Sequence, residues 1–139
     1  MNHEFTLKTK DMNYYFSKIV DTNFDDTIDK VTEELKKEGF GVLTEIDVKA
    51  TFKKKLDIDF RKYRILGACN PNSAHQAILA EPNIGTMLPC NVIVQELENG
   101  KVEVSAVNPV ASMMAIKNDK LGPVAEQVRD NLKKVIDSL

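Results

Sequence analysis

The stretch LPCNVIVQELENGKVEVSAVNP, residues 88–109, decides the architecture of this chain. In its first half Leu88, Cys90, Val92 and Val94 share one phase, and in its second half Val102, Val104 and Ala106 do the same. A period of two marks a strand with one buried face. How the halves pair depends on the connection Glu98-Asn99-Gly100. A two-residue turn at Asn99-Gly100 sets Glu96 against Glu103 and Val94 against Ser105, which mixes the faces. A three-residue loop with Gly100 left-handed sets Val94 against Val104 and Val92 against Ala106. The second register keeps the apolar residues together, so it is the one expected. It also brings Cys90 level with Asn108.

Upstream, Phe60 to Cys69 (FRKYRILGAC) reads as a strand with Tyr63, Ile65, Gly67 and Cys69 on one face. Asn70 and Pro71 then open a short helix running to about Ala80. Asparagine caps the first turn, and proline fits the first helical position, where its missing N–H costs nothing. Pro82 to Thr86 breaks the chain. Earlier still, Phe40, Val42, Thr44, Ile46 and Val48 alternate as a strand, and Lys49 to Leu56 forms a short helix with Phe52 and Leu56 inward.

Before that strand lies the best-specified helix. Thr22 and Asp25 have the spacing of a capping box, and Phe24, Ile28, Val31 and Leu35 recur at helical intervals. Lys36 and Lys37 suit the negative end of the dipole, Gly39 supplies the left-handed terminus, and Phe40 folds back on the last apolar turn. Asn13 to Val20 (NYYFSKIV) is the first strand. The last helix, Leu121 to Leu139, buries Leu121, Val124, Val128, Leu132, Val135 and Leu139. The order β-α-β-β-β-β-α, with short helical insertions and short connections, predicts an α+β two-layer sandwich. Its sheet is mostly antiparallel and its two long helices cover one face. A single domain over 13–139 follows a polar leader over 1–12. A chain of 139 residues buries enough surface to fold without disulfides or metal.

Lys plus Arg is 19 against Asp plus Glu 21, a formal net charge of -2. Nucleic-acid binders carry a basic excess, so none is expected as a partner. The first residues lack the apolar centre of a signal peptide and carry Glu4 and Asp11, and no apolar run approaches a membrane span. The expected location is the cytoplasm, where two cysteines are thiols.

Those cysteines, Cys69 and Cys90, are the sharpest signal. If their strands are antiparallel neighbours, both lie at one end of the sheet and on its apolar phase. Cys69 also precedes the helix capped by Asn70, and a thiolate there feels the positive end of the dipole. The plain alternative is that both are small buried hydrophobes. His75, one turn into that helix, could complete a three-ligand set with the cysteines, but the spacing matches no recognised zinc pattern and a polar-capping or surface role fits it better. Asn70 is explained as a cap, and Asn91 points away from Cys90. The basic run from Lys49 to Arg64 is interrupted by Asp57 and Asp59 and reads as a solvated face.

The segments IDVKATFKKKL (46–56), YRILGACNPNSAHQAIL (63–79), IGTMLPCNVIV (84–94) and GKVEVSAVNP (100–109) together resemble the prokaryotic domain of unknown function 302 family. The resemblance spans Asn13 to Leu139. It implies a two-layer α+β fold with an antiparallel sheet and a homodimer, and it implies no established activity. Asn108 stands where the family pattern often has Asp, so any charge at that position is missing here. The expectation carried forward is a dimeric binding module whose pocket holds Cys69 and Cys90, with Asn70, His75 and Asn108 as further candidates. Its ligand is a small molecule or a soft metal ion. Two alternatives stand beside it: a thiol redox or transfer enzyme with Cys69 as nucleophile and Cys90 as resolving partner, and a structural protein with inert cysteines.

Overall fold

The two halves of residues 88–109 pair as their apolar phase demands. In the computed structural model, which describes residues 13–139, Cys90–Glu96 and Val102–Val107 are antiparallel, with Val92 opposite Ala106 and Val94 opposite Val104. Gly100 sits at φ +83 and donates its N–H to the Leu97 carbonyl, and the Leu97 N–H bonds to the Lys101 carbonyl. A side chain at Gly100 would strain that left-handed turn. The remaining elements build outward: β1 (Tyr15–Val20), α1 (Phe24–Lys37), β2 (Gly41–Asp47), α2 (Val48–Leu56), β3 (Tyr63–Cys69) and α3 (Pro71–Ala80). A 3-10 turn (Pro82–Met87) leads into β4 (Cys90–Glu96) and β5 (Val102–Val107), and then come a four-residue helix α4 (Pro109–Ser112) and α5 (Leu121–Asp137). The five strands form one antiparallel sheet in the order β1-β5-β4-β3-β2. The fold is therefore the expected α+β sandwich. The leader over 1–12 lies outside the described residues.

One layer of core explains the arrangement. Leu66 and Ala68 of β3, Cys90, Val92 and Val94 of β4, and Val102, Val104 and Ala106 of β5 point to a single face. Phe24, Ile28, Val31 and Leu35 of α1 and Val128, Leu132, Val135 and Ile136 of α5 close over it. The opposite face carries Tyr15, Ser17 and Ile19, then Val107, Ser105 and Glu103, then Ile93, Ile65 and Ile46. No long helix covers it, and charge gathers at one place on it, where Arg61 Nε donates to Gln95 Oε1 and Gln95 Nε2 donates to Glu103 Oε1.

Local details differ from the sequence expectation in four places. The cap of α1 is Asn23 rather than Thr22. Asn23 Oδ1 accepts from the Asp26 N–H at 2.9 Å, which caps the helix one residue later, and Asn23 Nδ2 donates to Asp26 Oδ2 at 2.8 Å, a side-chain pair in place of the usual return bond to the cap's own N–H. Leu56 is 62% exposed, because α2 packs mainly on β3 and the edge strand β2 and needs one inward aromatic. That residue is Phe52, edge-on to Phe60 at 5.1 Å. The alternation of β2 breaks at Leu43: Val42 pairs with Ala68, Thr44 pairs with Gly67, and Leu43 is the extra residue of a bulge. Finally, Asn108 caps α4, a helix that the sequence reading did not include.

The C-terminus of α1 closes as its sequence indicates. The Gly39 N–H bonds to the Lys36 carbonyl and the Phe40 N–H to the Leu35 carbonyl, leaving Phe40 buried beneath the helix. The basic run is tied up locally. Lys49 Nζ donates to the Phe60 carbonyl at 2.8 Å, Lys53 lies 3.1 Å from Asp57, and Arg64 pairs with Glu45. No helix among the described residues is long and apolar enough to cross a membrane.

Candidate functional site

At the end of the sheet where β3 finishes and β4 begins, the core is not filled. A cavity of about 320 Å³ lies between that end, α3 and the first turns of α5. Small residues leave the space: Ala74 and Ala77 of α3 face Ala125 of α5 across it, and Ala68 and Cys90 form part of its floor. Leu121, Val124 and Val128 line the α5 side. Two lining residues are largely exposed, Leu43 at 69% and Ile78 at 45%, and these mark the mouth. Leu43 reaches this position because the bulge turns it out of the strand's alternation.

Both cysteines border this cavity and both are free thiols. They do not face each other as a rung of the sheet. Cys90 stands opposite Ala68 and shares the helix-covered face with it, whereas Cys69 is opposite Gly41 and belongs to the other phase. Placing both on the apolar phase was therefore an error for Cys69. As the last residue of β3 it still reaches the cavity wall. Burial, and secondarily the neighbouring Cys69 thiol, push the Cys90 thiol up to about 11. Cys90 is thus a protonated, apolar wall at neutral pH.

The other candidates divide. Asn70 lines the cavity and caps α3, its Oδ1 accepting from the Ser73 N–H at 3.3 Å. Its amide also lies against Gly39, where an added Cβ would come within 3.0 Å of Asn70 Nδ2. His75 is exposed on α3 and is not part of the cavity wall. Asn108 is 4% exposed, and its side chain is fully occupied. Oδ1 accepts from the Val110 N–H at 3.1 Å and Nδ2 donates to the Asn13 carbonyl at 3.1 Å, tying α4 to the start of β1. Its neighbour Pro109 lines the cavity instead. Among the described residues no group of three or more His, Cys, Asp or Glu could hold a metal ion, so Cys69, Cys90 and His75 do not converge on one.

The sequence reading missed Leu43, Ala74, Ala77, Ile78 and Ala125 as site residues. A signal existed for three of them. Alanines at inward positions of two helices that meet leave a gap wherever no larger neighbour fills it.

The fold and site define an α+β protein with a helix-covered antiparallel sheet and an apolar, thiol-bearing cavity at one sheet end. The chain belongs to the domain of unknown function DUF302 family, whose model matches residues 16–139. The crystal structure of an uncharacterized conserved DUF302 protein from Bacillus stearothermophilus is similar, with a TM-score of 0.82 and 29% identity. The match covers 89% of this chain and 96% of that one. Comparison with curated proteins finds no match.

Proposed function

We propose that this protein is a small-molecule binding module whose ligand occupies the cavity holding Cys69 and Cys90. The supporting observation is the cavity itself: about 320 Å³, bordered by both thiols and open between Leu43 and Ile78. Ligand sites are concave, mostly apolar and largely preformed, and this volume falls at the small end of their range. Burial raises the Cys90 thiol and so disfavours Cys90 itself as an attacking thiolate. The module acts as a homodimer in the cytoplasm. The uncovered sheet face supports the dimer, because its strand positions are mostly uncharged and include the exposed Ile19 and Ile46.

Fluorescence titration with the small neutral probe 2-naphthol tests the binding reading. Saturable binding to the wild type that is lost in Ala77→Phe supports it, since phenylalanine at 77 fills the cavity. Equal response from the two proteins contradicts it.

A further inference from the structure

The cavity's chemistry narrows what it can hold. No charged side chain lines it. The polar side chains on its wall are Asn70, Ser73 and the two thiols, and the Asn70 carbonyl oxygen is already engaged by the helix it caps. The mouth is apolar as well, formed by Leu43 on the β2 bulge and Ile78 on α3. An ionised group carried inside would lose its hydration with no partner to replace it. An ionised head left at the mouth would sit against leucine and isoleucine.

Volume sets the second limit. An engineered apolar cavity of about 150 Å³ stays dry and accepts benzene. This one is roughly twice that, room for about ten water-sized units at about 30 Å³ each.

We propose that the cavity takes a neutral, apolar molecule of roughly ten non-hydrogen atoms, admitted between Leu43 and Ile78. The proposal rests on the binding reading above and adds the ligand's class and its route. The bulge supplies the mouth: in a regular β2 strand Leu43 would pair in the ladder, and α3 alone would border the opening.

Displacement of bound 2-naphthol, a neutral fluorophore of the size proposed, by 1-decanol, decanoate and decylammonium tests this on the full-length protein. We expect 1-decanol to displace the probe at about tenfold lower concentration than either ion. Leu43→Lys places a cation at the mouth of a site whose fold does not depend on that exposed side chain. It should improve decanoate about threefold relative to 1-decanol. Parity between an ion and 1-decanol on the wild type overturns the neutral-ligand class while the binding reading survives. No gain for decanoate in Leu43→Lys overturns the assignment of the mouth. If the probe gives no signal lost in Ala77→Phe, the binding reading falls, and this proposal falls with it.

Discussion

Cys90 offers the clearest test at the residue scale. Its thiol is raised from 9.0 to about 11 by burial. The folded state therefore holds this proton more tightly than the unfolded chain does. The resulting stability is fully present below about pH 9 and is lost as pH rises through about 11. The loss corresponds to roughly 2–3 kcal/mol. Urea unfolding of the wild type should weaken by this amount across that window relative to Cys90→Ala, and parallel pH profiles for the two proteins would refute it. Thiol counting should also find Cys69, which is half-buried, reacting before Cys90. Gly67 makes a different point. An added Cβ there would lie 2.1 Å from Thr44 Oγ1 and 2.8 Å from Pro89 Cγ, so Gly67→Ala should cost about 1–3 kcal/mol. Part of that loss should return in the double variant with Thr44→Ala, read as non-additivity in thermal melts.

At the scale of elements, the hairpin was legible because only one register keeps Val92, Val94, Val104 and Ala106 on one face. The helix covering that face was legible from Phe24, Ile28, Val31 and Leu35, yet its cap fell one residue later than expected. Thr22 and Asn23 are both capping types, and sequence spacing alone did not separate them. Asn23→Ala should cost about 1 kcal/mol in chemical denaturation. Thr22→Ala should cost less, because in Thr22 the carbonyl rather than the side chain meets the Thr27 hydroxyl. The bulge in β2 was hidden for another reason. GVLTEID alternates acceptably with or without an extra residue, and only pairing with β3 shows that Leu43 is skipped. The helix Pro109–Ser112 is a single turn, too short for any periodicity to announce it.

At the scale of the whole molecule, the layering followed from the order of elements, and the cavity did not. Sequence patterns mark residues that fill a core, whereas a cavity is volume that Ala74, Ala77 and Ala125 leave unfilled. The two cysteines both border that cavity, but alternation placed Cys69 on the wrong face. The uncovered sheet face belongs to this scale too. Ile46→Lys puts a charge at an exposed position on it and should convert a dimer to a monomer in sedimentation without lowering the melting temperature of the fold. A wild type that is monomeric at all concentrations would contradict the dimer.

If the cavity at the sheet end is the binding site, methyl-resolved NMR during titration with 1-decanol will show it. Saturable shifts are expected at the methyls of Ala77, Ala125 and Met113, which line the cavity, and none at Ile19 or Ile93 on the far face. Unchanged cavity methyls, or shifts confined to the far face, would contradict it.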